Sequence, residues 1–352
     1  MRIDDLETPT PIVDLDIVTG NLERAARYFA LHSIAVRPHI KTHKIAEFAR
    51  LQLSLGACGI TCQKLGEAEV MVDGGVEDIL LTFPIVGRTK LERLETLARR
   101  AKMSAVADSI EVAVGLATIG ARLEHRFDIL VECDVGGRRC GLLTPEGASD
   151  LARQIDDLPG ARFAGLMTYP PVNQIDATRS WLQEALALLA SAGVDAKHVS
   201  VGGTPEMYRS HELQVANEHR PGTYIYSDRY MVHHGVGSFD ECALKIIATV
   251  VSRPAADRAI IDAGSKTLSS DLMGFSDHGH IVEYPGIRIV RLSEEHGHLD
   301  LSQSARKPKI GERLTIVPNH ACAVSNLFDQ VAVISGGRFV KMLRVDARGL
   351  VR

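Results

Sequence analysis

The sequence predicts an α/β chain in two parts, an N-terminal (β/α)8 barrel of TIM type over residues 1–240 and a mainly β domain over residues 241–352. Two observations carry this. From residue 10 to about 235, short apolar runs alternate with longer amphipathic segments. After about residue 240 the texture changes to short β-branched runs separated by turn residues, and helical periodicity nearly vanishes. A chain of 352 residues is long enough for a large buried core in such an arrangement.

Taken in order, the candidate barrel strands are residues 11–15, 34–36, 59–61, 79–82, 103–106, 129–133, 163–167 and 198–201, with Tyr224-Ile225-Tyr226 available to close the ring. Between them, residues 16–31, 64–73, 89–101, 145–155 and 177–192 repeat apolar side chains at three- and four-residue spacing, the period of a helix with one buried face. Eight such units favour a closed barrel over an open doubly wound sheet. In the second part, residues 246–251, 258–261, 287–292, 313–316 and 331–334 read as strands, punctuated by turns such as Asp277-His278-Gly279-His280 and Gly336-Gly337.

Composition excludes several functions. Hydrophobic residues make up 45% and charged residues 24%, with 40 basic against 44 acidic side chains, and there is no basic tract of the kind a phosphate backbone requires. No nucleic-acid partner is expected. No apolar run approaches bilayer length and the start, Met1 to Glu7, lacks the apolar core of a signal peptide, so the expected place is the cytoplasm, off the membrane. Six scattered cysteines fit reduced thiols, and Cys58 and Cys62 lack the second pair a structural metal site needs.

The segment Arg37-Pro38-His39-Ile40-Lys41-Thr42-His43-Lys44 places a lysine just beyond an apolar run. An amine held at a strand end is a candidate for covalent attachment to an aldehyde, and Lys41 is that candidate. Gln63, Arg139 and Tyr169 also follow apolar runs, where barrels place their chemistry. Gly202-Gly203-Thr204 forms a plausible phosphate cup, because glycines let backbone N–H groups approach and Thr204 offers a hydroxyl; Gly222 and Thr223 could complete it. Arg139 offers a cation for a phenolate or carboxylate. If residues 318–322 are extended, His320 and Cys322 share a face and form half of a zinc site. Spacing alone favours a buried thiol beside a hydrogen-bonded histidine, because two ligands are too few to define a site. His296, in the polar segment Ser293-Glu294-Glu295-His296-Gly297-His298, could line the same cleft.

Together these motifs resemble the pyridoxal-phosphate enzymes of alanine-racemase-like fold, in the branch containing D-threonine aldolase and D-serine dehydratase. The resemblance spans nearly the whole chain. It rests on the order of Thr8-Pro9-Thr10-Pro11, Arg37–Lys44, Cys62-Gln63-Lys64 with Glu67-Ala68-Glu69, Arg139-Cys140-Gly141, Gly202-Gly203-Thr204, Asp262–Lys266, Glu295-His296-Gly297 and His320-Ala321-Cys322. It implies that Lys41 carries pyridoxal 5'-phosphate, with Lys44 a non-covalent neighbour. It also implies that Arg139 approaches the phenolic oxygen, that Tyr169 meets the ring nitrogen, and that Gly202, Gly203, Thr204, Gly222, Thr223 and Tyr224 hold the phosphate end.

By the same resemblance His320 and Cys322 bind a divalent metal (zinc, manganese or magnesium), a thiolate favouring zinc. The substrate class implied is a D-3-hydroxy amino acid. His39, or a metal-bound water, would be the base for retro-aldol cleavage to glycine and an aldehyde, and Gln63 and His296 would support the substrate or the first contacts. The aldolase is the first reading and the dehydratase, giving a keto acid and ammonia, the alternative. A racemase, needing a second base and no metal, comes behind both, and a binding-only carrier last. A homodimer is expected by resemblance.

Overall fold

The structure is a computed structural model and describes residues 2–352. By internal contacts the chain divides into two compact units. One comprises Arg24–Lys41, Ala46–Gly222 and Leu350–Arg352, and the other Met1–Glu23, Thr42–Ile45 and Thr223–Gly349.

The first unit holds an eight-stranded parallel sheet in the spatial order Ala35–Val36, Glu218–Arg220, His198–Gly202, Ala161–Thr168, Phe127–Cys133, Lys102–Ala107, Asp78–Leu81 and Ile60–Cys62. A parallel bridge between His39 and Thr61 joins its two ends. This is the TIM-type barrel that the alternating pattern predicts. Its helices form where the amphipathic pattern predicts them. Helix Pro145–Asp157, for example, starts at Thr144, whose Oγ1 accepts the Gly147 N–H at 3.1 Å, and it buries Ala148, Leu151, Ala152 and Ile155. Leu80, Val106, Leu130, Ala164 and Met167 form an apolar cluster from four neighbouring strands, in which each buried Leu, Val or Met side chain contributes about 1.5–3 kcal/mol.

Elsewhere the lumen is charged. Arg37 donates to Glu218 Oε2 at 2.8 Å and to Asp78 Oδ1 at 2.5 Å. Glu218 Oε1 accepts the Ser200 hydroxyl at 2.5 Å, and Arg220 donates to Ser200 Oγ at 2.6 Å and to the Thr168 carbonyl at 2.9 Å. This chain of partners is why Glu218-His219-Arg220 can be a buried strand despite reading as a polar loop. The three residues are 1–5% exposed.

The second unit holds a mainly β sheet. Its path runs Arg288–Leu292, Gly297–Asp300, Arg258–Ile261, Leu244–Ala255, Thr10–Asp14, Gln330–Ser335 and Arg338–Arg344; Arg313–Val317 also pairs with Leu244–Ala255, and His280–Ile281 pairs with Arg313–Val317. Here the structure corrects the strand assignment. The run at residues 11–15, expected to open the barrel, pairs antiparallel with Leu244–Ala255 and parallel with Gln330–Ser335, and Ile12 packs on Ile247, Ala332 and Ile334. A short apolar run satisfies either sheet, so its composition cannot choose between them. The eighth barrel strand is Glu218–Arg220, while Tyr224 and Ile225 lie in the 3-10 turn Thr223–Ile225. Among the described residues no helix is long and apolar enough to cross a membrane.

Candidate active site

Lys41 lies in the 3-10 turn Ile40–Thr42 beyond the first barrel strand. Its ammonium is 5.6 Å from the centre of the Tyr169 ring, and among the described residues it makes no ion pair. The turn is braced by His39, whose Nδ1 accepts the Lys41 backbone N–H at 3.2 Å and whose Nε2 meets Gln63 Oε1 at 3.0 Å. Gln63 donates to the Thr82 carbonyl at 2.9 Å, so its oxygen faces His39, and the partners assign the Nε2–H tautomer. Gln63 is in turn placed by Glu67 Oε2, which accepts the Gln63 and Lys64 backbone N–H groups at the start of helix Leu65–Asp73. Lys44, in the other unit, is 6% exposed and its Nζ donates to the Ala347 carbonyl at 3.4 Å.

Arg139 lies over the same Tyr169 ring, 5.2 Å from its centre, so two cations stand against one aromatic ring. A cavity of about 250 Å³ opens beside them, lined by Glu132, Asp134, Arg139, Cys140 and Tyr169 among others. The loop carrying Arg139 is shaped by Asp134, whose Oδ1 accepts the Gly136 and Arg138 N–H groups at 2.9 and 3.1 Å. Burial pushes the Asp134 carboxyl up, and the loop's backbone N–H groups more than offset this, leaving it below the usual range. Glu132, 3% exposed, is pushed up to about 7 by burial, with Arg139 opposing.

The glycine pair borders Tyr169 as well. A Cβ added at Gly202 would sit 3.0 Å from Tyr169 Cδ2 and 3.0 Å from Arg220 Nη2, so the backbone passes where only glycine fits unstrained. Gly203 has φ +112°, a conformation side chains disfavour. Gly222 donates its N–H to Thr204 Oγ1 at 3.1 Å, and the backbone N–H of Thr204, a residue 4% exposed, finds no acceptor among the described residues. An open amine, an arginine without a hydrogen-bonded acceptor, an aromatic ring and a buried unpaired N–H form a donor set for an anionic, ring-bearing aldehyde. Pyridoxal phosphate fits these residues.

The second unit brings together His320, Cys322, Thr42 and Thr223. Cys322 Sγ lies 3.1 Å from Thr42 Oγ1 and 3.6 Å from Thr223 Oγ1, and it is in hydrogen-bond contact with His320. Thr223, expected at the phosphate, thus stands against the Cys322 thiol, and Tyr224 beside it is buried. The condition of an extended pair is met at His320 but not at Cys322. His320 is the N-cap of helix Ala321–Ser325, whose Ala321 N–H is taken by Asp228 Oδ2 at 2.9 Å. His and Cys remain neighbours because an N-cap and the second residue of the helix flank the same helix end.

Sequence reasoning missed Asp271, whose Oδ2 is 2.7 Å from His320 Nδ1. The loop bearing it is tied down by Asn319, which donates to the Asp277 carbonyl at 2.7 Å and accepts the Gly279 N–H at 2.9 Å. A carboxylate on one imidazole nitrogen is the usual support for a metal-ligating histidine. Burial works against a charged His320 ring, but Cys322 and Asp271 more than offset it and raise it to about 9. A site that favours positive charge this way, with a nitrogen and a sulfur donor, fits a divalent cation. Among the described residues no cluster of three or more His, Cys, Asp or Glu side chains could hold one, so the remaining ligands would come from water or substrate. His296 is exposed, in a turn closed by the Ser293 N–H onto its carbonyl.

The model described as alanine racemase, N-terminal domain, matches residues 13–230, and the putative serine dehydratase domain matches residues 243–334. Fold and site thus define an alanine-racemase-like, pyridoxal-phosphate-type enzyme. The D-threonine aldolase of Arthrobacter sp. is 34% identical over 367 residues, covering 99% of this chain and 94% of the relative. The D-threo-3-hydroxyaspartate dehydratase of Delftia sp. is 30% identical, covering 92% and 93%. The crystal structure of D-threonine aldolase from Filomicrobium marinum superposes with a TM-score of 0.90 at 33% identity, covering 100% and 98%. The chain belongs to this family of lyases, which contains both D-threonine aldolases and D-serine dehydratases.

Proposed function

We propose that this lyase cleaves D-3-hydroxy amino acids, D-threonine first, to glycine and an aldehyde, using pyridoxal phosphate on the barrel of residues 1–240 and a divalent metal on the β domain of residues 241–352. The observation that carries it is the convergence of Lys41 and Arg139 on the Tyr169 ring beside Gly202. Lys41 binds the cofactor, Arg139 and Tyr169 hold its ring, and Gly202, Gly203, Thr204 and Gly222 hold its phosphate, with Thr223 and Tyr224 following in the chain. Bound there, the cofactor supplies an electron sink for the substrate's α-carbon. His320 and Cys322 hold the metal, which supplies a Lewis acid for the substrate's 3-hydroxyl.

This chain's own groups do the rest. The Lys41 amine takes and returns the proton exchanged when the substrate amine enters. Both ring nitrogens of His39 are engaged, by Lys41 N–H and Gln63, so we assign it to positioning the Lys41 turn, and the substrate's 3-hydroxyl proton would pass instead to a water held beside His320 and Cys322. Asp271 orients His320. Zinc is the metal that the imidazole–thiol pair suits best, ahead of manganese and magnesium. We also place the enzyme in the cytoplasm as a homodimer.

The dehydratase reading is favoured by one observation, the thiol at Cys322 where many aldolases carry a carboxylate. Product analysis separates the two. Acetaldehyde and glycine from D-threonine support the aldolase, and pyruvate and ammonia from D-serine without cleavage of D-threonine overturn it.

A further inference from the structure

Glu132 lies near the end of strand Phe127–Cys133, where its Oε2 is buried and makes no hydrogen bond among the described residues. An unpaired buried carboxylate oxygen is costly and calls for an explanation. Its other oxygen is 3.8 Å from Arg139 Nη2, just beyond hydrogen-bond reach. Arg139 is the complementary case. Its side chain is 56% exposed, it donates no hydrogen bond among the described residues, and the Tyr169 ring and Glu132 stand near its charge, with Arg220 and Cys140 also within electrostatic reach.

The charged groups facing Glu132 are Arg139, Asp108, Arg220 and Asp134. Three of them are committed elsewhere. Arg220 bonds Ser200 and the Thr168 carbonyl, Asp134 accepts loop N–H groups, and Asp108 Oδ2 accepts the Gly141 N–H at 3.1 Å. Asp108 and Asp134 thereby hold both ends of the loop from which Arg139 extends. The loop's backbone is fixed while the guanidinium at its tip is not. One unsatisfied carboxylate and one unsatisfied guanidinium are thus presented to each other at the rim of the same cavity.

We propose that Glu132 is the positioning residue for Arg139, drawing the guanidinium into a charge-assisted hydrogen bond that holds it over Tyr169, where it meets an anionic oxygen on the ring of the bound cofactor. The inference deepens the function proposed above and rests on its placement of pyridoxal phosphate. Burial raises the Glu132 carboxyl to about 7 even with Arg139 opposing it from 3.8 Å, so closing that gap to a hydrogen bond favours the charged form further.

A double-mutant cycle on pyridoxal phosphate affinity, read from the visible absorbance band of the full-length protein, tests this. Glu132→Gln weakens binding about tenfold, the lower end for loss of a group that orients a ligand-binding side chain. Glu132→Asp, which keeps a carboxylate, recovers most of that loss, and Glu132→Gln adds less than twofold once Arg139→Met is present. Equal effects of Glu132→Gln in both Arg139 backgrounds, or no recovery with Asp, overturn the proposal. If Glu132→Gln fails to fold, Glu132→Met, which also removes the carboxylate, takes its place in the cycle and must lose its effect on affinity once Arg139→Met is present, or the proposal falls. A parent protein with no visible band removes the cofactor placement itself, and this inference with it; a normal band with additive mutations removes the inference alone.

Discussion

Replacing Arg37 with Met cuts the charged chain that runs through the barrel lumen. Arg37 and Glu218 have side chains 9% and 4% exposed and meet at 2.8 Å. At an effective dielectric of about 20 that contact is worth roughly 6 kcal/mol before desolvation. Removing one member of a buried pair costs about 3–5 kcal/mol, because the survivor is left charged and dry. Asp78 keeps Lys102 at 2.8 Å, and Glu218 keeps the Ser200 hydroxyl, so the expected loss is at the lower end, about 3 kcal/mol at pH 7.

The pH dependence follows from Glu218. Burial pushes its carboxyl up, but Arg37 and Ser200 more than offset this, so the folded pKa is net lowered. A depressed carboxylate stabilises above its unfolded pKa, and that stability is lost as pH falls through the folded value. In Arg37→Met the burial effect dominates and the carboxyl rises, so protonation relieves the variant by about 1.4 kcal/mol for each pH unit below its new pKa. Urea unfolding of parent and variant at pH 7 and pH 5 measures the gap. A deficit near 3 kcal/mol that narrows at pH 5 is expected. A deficit under 1 kcal/mol, or one equal at both pH values, refutes the claim that Arg37 neutralises Glu218.

Asp271→Asn should weaken zinc binding about 10- to 100-fold in a competitive chelator titration, and unchanged affinity would remove Asp271 from the support of His320. Cys322→Asp should shift the retained metal from zinc toward manganese by elemental analysis, and identical content and preference would take Cys322 out of the coordination sphere. Gly202→Ala should displace the Tyr169 ring or Arg220 at a cost of about 1–3 kcal/mol. Its cofactor band should saturate only at higher pyridoxal phosphate, whereas parental stability and affinity would show that the approach at Gly202 is not tight.

The alternation of apolar runs and amphipathic segments made the barrel legible, and the loss of helical period after residue 240 did the same for the β sheet. Glu218-His219-Arg220 was hidden because strand recognition leans on apolar composition, while this strand is buried through its charges satisfying one another. Thr10–Asp14 was assigned to the wrong sheet because partner choice is a long-range property that a five-residue run does not encode. The order of motifs around Lys41, Arg139, Gly202 and His320 was enough to name the family. Asp271 was beyond reach, since it comes from a polar turn 49 positions from His320 with no spacing to announce it. Glu132 reads as one charge inside a strand, and its significance appears only when Oε2 is found without a partner.

The most direct test of the central claim is to load the purified protein with pyridoxal phosphate, reduce it with borohydride, digest it and locate the modified lysine by mass spectrometry. A phosphopyridoxyl group on Lys41 is the result expected from its open amine beside Tyr169 and Arg139. Modification confined to Lys44 or another lysine, or none at all, would contradict the placement of the active site at the end of the first barrel strand.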